Sequence, residues 1–403
     1  MPYVARHTIE KCTRCGACFE IVACPGAEKE ICIGCGACVL ACPNQAIEII
    51  EEARQGSIEI EVNGKQSIVS ERISVKDALH ELGYKFADLP VEPGIFAPCQ
   101  VGGCGTCTVD IDGVLRPCCV TEARDGMKIR TGTSASHTPI RIVENFMGHP
   151  TGGVGTPWQI REDPTAILEI ICFTAGCNFR CPQCQNWKIA YRGKGTPLEP
   201  KDAARVVAMK RMEARVDRMG VSGGESTLNR PWLVQFIEEL KRLNPDSGAR
   251  FHVDTNGSLL TKDYIDELVD AGMTDVGIDL KSLETDTFMR ITGLQDRKLV
   301  QKYKDVAWGA VEYLTESYKE KVFLGIGIPY NKDLISPEEI RAMGKKIHKI
   351  DPYVQVCANN YVPQFRSRIS PPTFEEMSLV HKLLKGTGLK TAICQSPMGF
   401  IGP

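Results

Sequence analysis

The sequence has almost no excess of charge, no long apolar run and no paired histidines, and each of these gaps removes a class of function. Lysine and arginine number 48 against 50 aspartates and glutamates, a formal charge of −2, so there is no electrostatic case for a nucleic-acid partner. No apolar run approaches membrane-spanning length, and the opening MPYVARHTIEKC has no apolar core of a leader. The expectation is a cytoplasmic protein with no membrane partner. The seven histidines show no H-x3-H spacing, which leaves no imidazole pair for zinc. No G-K-[ST] or G-x-G-x-x-G frame is present to cradle a phosphate. At 403 residues the chain has room for two to four domains.

What it does have is cysteine: nineteen of them. A short secreted chain would use these as disulfides, but this chain is long and they recur at short regular intervals, which points to iron–sulfur ligation in an anaerobic or strongly reducing cell. The most informative run is Cys177-Asn178-Phe179-Arg180-Cys181-Pro182-Gln183-Cys184, a C-x3-C-x2-C directly after the apolar segment Ala166–Phe173. Three thiolates hold three irons of a 4Fe–4S cube and leave the fourth open to a ligand that is not protein, an arrangement suited to catalysis. A zinc knuckle would bring two C-x2-C pairs or a histidine pair, and neither lies nearby.

Two further groups of cysteines precede it. Cys12, Cys15 and Cys18 followed by Cys24-Pro25 are repeated as Cys32, Cys35 and Cys38 followed by Cys42-Pro43. This resembles the bacterial two-cluster ferredoxin, where the fourth cysteine of each run serves the other cluster. The resemblance implies one set of Cys12, Cys15, Cys18 and Cys42 and another of Cys32, Cys35, Cys38 and Cys24. The loop from Cys18 to Cys24 is longer than its counterpart in the repeat. Next, Cys99-x4-Cys104-x2-Cys107 has the plant-type 2Fe–2S spacing, in a segment whose alternation over Ser57–Val62, Asn63-Gly64 turn and return over Lys65–Val69 predict a hairpin. Ser74 to Asp77 reads as a helix start and Gly83 as its stop. This segment resembles β-grasp 2Fe–2S domains. Counting back from Gly126-Met127-Lys128-Ile129, as the family pattern does, selects Cys119 over its neighbour Cys118 as the fourth ligand.

Beyond a stretch rich in glycine and proline, read as a linker, six apolar strand candidates alternate with amphipathic helices. They fall at Ile167–Phe173, Arg218–Ser222, Arg250–Asp254, Asp275–Leu280, Lys321–Ile328 and Tyr353–Cys357. Capping boxes are expected at Ser336–Glu339 and Thr373–Glu376. The pattern predicts an α/β fold: an open, parallel (βα)6 barrel with function at the C-terminal strand ends. The expected boundaries are a two-cluster ferredoxin over 1–50, a β-grasp 2Fe–2S domain over 56–133, a linker over 134–164 and the barrel over 165–403.

The order of motifs at those strand ends resembles the radical S-adenosylmethionine (SAM) superfamily, in particular glycyl-radical activating enzymes and the AmmeMemoRadiSam group. The resemblance covers Ile167 to about Leu389. It implies that Gly223, Gly224 and Glu225 receive the SAM ammonium. By the same resemblance Asp254, Thr255 and Asn256, with Asp279, surround the SAM carboxylate and a monovalent cation, and Lys281 neutralises that carboxylate. Cys177, Cys181 and Cys184 would carry catalysis. Cys172, Cys357 and Cys394 read as small buried hydrophobes, Trp187 as packing or a cluster cover, and Tyr361 and Arg366 as candidates for substrate contact.

The implied cofactors are three 4Fe–4S clusters, one 2Fe–2S cluster and SAM. The implied activity is reductive cleavage of SAM to a 5′-deoxyadenosyl radical that takes hydrogen from a protein or peptide substrate, with electrons from an external low-potential donor passing through a built-in relay. One alternative is a cobalamin-dependent methyltransferase, against which stands the lack of a D-x-H-x-x-G motif. The other is a non-enzymatic electron-transfer subunit, which would have no use for a SAM pocket.

Overall fold

The computed structural model describes residues 3–24, 32–52, 56–132, 138–146, 154–160 and 167–403. Pro25 and the glycine-rich 149–153 lie outside them.

At the N-terminal end Tyr3–His7 pairs antiparallel with Ile47–Glu51 and brackets two short helices, Ala17–Glu20 and Ala37–Ala41. Each helix is entered through a left-handed glycine, Gly16 at φ 78° and Gly36 at φ 76°, a conformation that costs glycine least. The sequence repeat is thus a structural repeat. Next comes a five-stranded sheet in the order Lys65–Ser70, Ser57–Val62, Lys128–Arg130, Thr108–Ile111 and Val114–Pro117. Asn63 and Gly64 both have positive φ, as a type I′ turn requires. The helix Val75–Glu81, capped by Ser74 accepting from the Asp77 amide, buries Ala78 and Leu79 against Ile60, Val62, Ile111 and Ile129.

The rest of the chain is one nine-stranded sheet. Its parallel strands are β1 (Glu169–Thr174), β2 (Arg218–Gly223), β3 (Arg250–Thr255), β4 (Asp275–Asp279), β5 (Phe323–Tyr330), β6 (Gln355–Asn360) and β7 (Thr391–Ser396). Helices follow each of the first six, giving the six β/α units expected, and β7 is a seventh parallel strand that was not. Antiparallel strands close both edges: Arg141–Phe146 on β1 and Gly399–Ile401 on β7. The two edges do not pair, so the barrel is open.

The stretch expected as a linker is therefore partly barrel. Besides its edge strand, residues 154–156 cross the barrel interior. Gly325 leaves room for the carbonyl of Val154, since a Cβ there would come within 1.8 Å of it. Gln355 Nε2 donates to the Thr156 carbonyl at 2.9 Å, and Arg218 Nη2 to that of Gly155 at 3.0 Å. The capping box at Thr373–Glu376 is complete. At Ser336 only half forms, because the Glu339 carboxylate instead accepts from the amides of Leu283 and Glu284.

The three N- to C-terminal parts share a core. Val22, Ala37 and Ala41 of the first meet Phe96, Cys99, Val101 and Cys104 of the second and Phe179, Leu228, Leu259 and Phe365 of the third. Burying a side chain of this size contributes about 1.5–3 kcal/mol, so the accessory parts are docked on the barrel by a continuous apolar contact.

Candidate functional site

A cavity of about 410 Å³ occupies the barrel mouth, lined by Cys177, Cys181 and Cys184 after β1, Gly223, Gly224 and Glu225 after β2, Asp254, Thr255 and Asn256 after β3, and Asp279 and Lys281 after β4. The barrel residues assigned from the sequence to the cluster and to SAM thus line one space. Parallel strands put their C-terminal ends on the same side of the sheet, and that geometry gathers them.

The loop bearing the three cysteines is held from several directions. Asn256 Nδ2 donates to Asn178 Oδ1 at 3.0 Å, and Asn178 Nδ2 to Ser258 Oγ at 2.8 Å. Gln183 Nε2 donates to the Ile291 carbonyl at 2.7 Å, and Asn186 Nδ2 to that of Gly223 at 3.1 Å. Burial pushes all three thiols up, Cys184 to about 12. Deprotonation there needs a compensating positive charge, which metal ligation provides.

Gly223 and Gly224 have a packing reason to lack side chains. A Cβ on Gly224 would sit 1.9 Å from the Gly176 carbonyl, and one on Gly223 would lie 2.5 Å from the Thr174 amide nitrogen. The glycines let the β2 loop seat against the cysteine loop. Glu225 is fully engaged inside the protein: Oε1 accepts from the Thr227 amide and hydroxyl and from the Thr255 hydroxyl, and Oε2 from the Asn256 amide at 2.8 Å. Its carboxylate ties the ends of β2 and β3 together while lining the cavity.

Charge balance in the cavity is set by neighbours. Burial works against the Lys281 ammonium, but Asp279 and Tyr361 hold its pKa well above the usual lysine value. Its Nζ lies 3.4 Å from Asp279 Oδ2 and 3.1 Å from the Tyr361 hydroxyl. Burial, and next the nearby Asp279, push the Asp254 carboxyl up to about 7. Asp254 also accepts from Ser222 Oγ at 2.7 Å.

One network was missed from sequence. Glu169, Arg218 and Asp275, buried at the starts of β1, β2 and β4, meet His252, buried within β3: Arg218 Nη1 to Asp275 Oδ1 is 3.0 Å, and His252 Nδ1 to Glu169 Oε2 is 3.1 Å. The available signal was a charged residue opening three of the four apolar strands, with partners too far apart in sequence to be paired by eye. Tyr361 lines the cavity, while Arg366 points away from it, donating to the carbonyls of Val39, Leu40 and Cys42. Cys172, Cys357 and Cys394 are completely buried. Trp187 stacks on Phe365, ring centres 5.1 Å apart.

The other cysteines also fall into groups. Cys18 feels the charges of Cys12, Cys15 and Cys42, and Cys38 those of Cys24, Cys32 and Cys35. These are the crossed sets implied by the ferredoxin resemblance. Cys99 and Cys104 lie with sulfurs 3.1 Å apart. Cys119 reaches both Cys99 and Cys107, whereas Cys118 reaches Cys107 alone. Convergent thiolates without histidine are the donor chemistry of iron–sulfur clusters, so the residues present fit that class of cofactor.

Comparison with known proteins agrees with this geometry. The Radical SAM superfamily model matches residues 171–335, the 2Fe-2S iron-sulfur cluster binding domain residues 55–134, and the 4Fe-4S binding domain residues 28–48. The chain carries a radical SAM domain, preceded by 4Fe–4S and 2Fe–2S domains. Among relatives, it is 29% identical over 162 residues to the molybdenum cofactor biosynthesis protein moc-5 of Caenorhabditis elegans, covering 39% of this chain and 24% of that one. It is 32% identical to a GTP 3′,8-cyclase of Mesorhizobium japonicum, over 30% of this chain and 36% of that one. It is 24% identical to the pyruvate formate-lyase-activating enzyme of Staphylococcus epidermidis, over 55% and 90%. A crystal structure of Streptococcus suis SuiB bound to precursor peptide SuiA superposes with a TM-score of 0.43 at 15% identity, over 55% and 47%. The chain spans about a quarter to two fifths of the length of the first of these relatives.

Proposed function

We propose that the chain reductively cleaves SAM at the Cys177–Cys181–Cys184 site and abstracts hydrogen from a protein or peptide, with electrons supplied through its own accessory clusters from an external low-potential donor. When bound, the cluster and SAM supply a 5′-deoxyadenosyl radical; the chain's residues hold, orient and shield. The Cys177, Cys181 and Cys184 thiolates, presented by a loop that Asn178, Asn256 and Gln183 immobilise, would hold three irons. Lys281, buried and kept protonated beside Asp279 and Tyr361, suits the SAM carboxylate. Asp254 and Asp279 suit a monovalent cation beside it, and the Gly223–Gly224 loop forms the wall against which the amino-acid end would lie. Apolar Phe173, Ile171 and Phe179 line the same cavity and keep water from a reactive centre.

The observation that carries the substrate class is the composition of the cavity wall. Lys281 is the one lysine or arginine on it among the described residues, and it is already paired. A nucleoside triphosphate, the substrate named in the cyclase relatives, would call for several cations. Gln185, Asn359, Asn360 and Gln364 line the mouth and make no side-chain hydrogen bond among the described residues. Neutral donors and acceptors of this kind match peptide amides. The activating-enzyme relative, whose name gives a protein as its target, points the same way.

The test is label transfer. Reconstituted protein, SAM and reductant are incubated anaerobically with a deuterated protein fraction from the host, and 5′-deoxyadenosine is examined by mass spectrometry. Deuterium in 5′-deoxyadenosine from the macromolecular fraction supports the reading. Deuterium arising only from the small-molecule fraction refutes it.

A further inference from the structure

We propose that Gly176 and Arg180 are positioning residues for electron hand-over, and that the domain holding Cys99, Cys104, Cys107 and Cys119 is the immediate donor to the Cys177–Cys184 loop. The proposal rests on the reading above that these cysteine sets hold clusters. It adds an order of flow that the motifs do not contain.

The two cysteine loops touch. Gly176, the residue before Cys177, has φ 92°, and a Cβ on it would come within 2.9 Å of the Cβ atoms of both Cys99 and Cys104. Gly103 is pressed equally close, its missing Cβ 2.8 Å from that of Ala175. Arg180 bridges the loops with one guanidinium: Nη1 donates to the carbonyls of Cys177 and Phe179, both at 2.8 Å, and Nη2 to Pro98 at 2.8 Å and more weakly to Cys99. Asn229, after the Gly-Gly-Glu loop, donates to the Cys104 carbonyl at 3.0 Å. Cys99 and Cys104 are buried in this contact, so no water layer separates the loops.

The ferredoxin domain has a longer way to the same place. From Cys42 a chain of contacts runs through Arg366, then Phe365, whose ring centre lies 4.8 Å from the guanidinium, then Trp187, three residues after Cys184 in the chain. Three side chains intervene where Gly176 alone separates the other pair. Burial gives the direction: Cys15 is exposed, Cys12 and Cys18 half-buried, and the four plant-type ligands buried. Ala37 and Ala41 share a core with Phe96 and Val101, and Cys35 packs against it, which joins the second ferredoxin set to the plant-type domain. An external low-potential one-electron carrier would reduce the exposed ferredoxin end. When bound, a cluster on Cys99, Cys104, Cys107 and Cys119 would supply one electron at a time, the ferredoxin domain would replenish it, and Gly176 and Arg180 would hold that donor against the Cys177–Cys184 loop.

The experiment is electron paramagnetic resonance of the full chain reduced with dithionite, reading the spin relaxation and dipolar broadening of the 2Fe–2S signal. It needs neither SAM nor turnover, so it can fail while the SAM-cleavage reading stands. The expected result is fast relaxation in the wild type, lost when Cys177, Cys181 and Cys184 are replaced together by alanine and retained when Cys12, Cys15 and Cys18 are. Relaxation unaffected by the first replacement, or lost only with the second, overturns the proposed order. Gly176→Ala and Arg180→Gln, each checked for full iron content, should weaken the coupling. If Gly176→Ala does not assemble, Arg180→Gln decides the positioning role, and unchanged coupling in it refutes that role.

Discussion

Arg366 Nε lies 3.0 Å from the carbonyl oxygen of Cys42, so a barrel residue read as a candidate for substrate contact instead grips the ferredoxin helix. Hydrogen bonds from a charged donor contribute about 1.5–3 kcal/mol each. Arg366→Gln should loosen the N-terminal domain while leaving the barrel folded. Hydrogen exchange is expected to rise in Ala37–Ala41 and stay unchanged in β2 to β5. Uniform protection across both would show that the latch is dispensable.

Glu225 binds four donors from three residues, Thr227, Thr255 and Asn256. An amide in its place turns one acceptor oxygen into a donor, so Glu225→Gln leaves at least one buried donor unpaired at a cost of about 1–3 kcal/mol. The expected outcome is a lower thermal midpoint together with weaker SAM binding by calorimetry, since the loop itself shifts. Weaker binding with no loss of stability would instead favour the direct ammonium contact implied by the motif.

Cys119→Ser should destroy or strongly alter the 2Fe–2S spectrum, and Cys118→Ser should leave it nearly intact. Cys119 faces Cys99 and Cys107 together, while Cys118 meets Cys107 and its carbonyl accepts from the Lys76 amide. The opposite pair of spectra would transfer the ligand role to Cys118.

Gly325→Ala should destabilise the barrel by more than ordinary overpacking, about 1–3 kcal/mol, because its methyl would meet backbone at 1.8 Å. Thermal unfolding is the measurement. A wild-type midpoint would mean that residues 154–156 do not occupy the barrel interior.

Much of this was legible in the sequence because short-range chemistry wrote it there. Cysteine spacing grouped the ligands, and β-branched runs placed six strands within about two residues of where they lie. Arg141–Phe146 was hidden by the glycine and proline around it, and its place is set by pairing with β1 across the chain. β7 was missed because Thr391–Ser396 is mixed in polarity, and its pairing with β6 and packing against Phe374–Lys385 define it. The Glu169–His252 and Arg218–Asp275 pairs, and the contact of Gly176 with Cys99, join residues tens of positions apart. Local pattern carries no information about such contacts.

Chemistry at Cys177, Cys181 and Cys184 is measured most directly as 5′-deoxyadenosine released from SAM by the anaerobically reconstituted, dithionite-reduced chain. The account predicts 5′-deoxyadenosine and methionine in equal amounts from the wild type. It predicts none from the variant with all three cysteines replaced by alanine, which should still show its 2Fe–2S signal. No 5′-deoxyadenosine from fully iron-loaded wild type, or undiminished product from the variant, would contradict it.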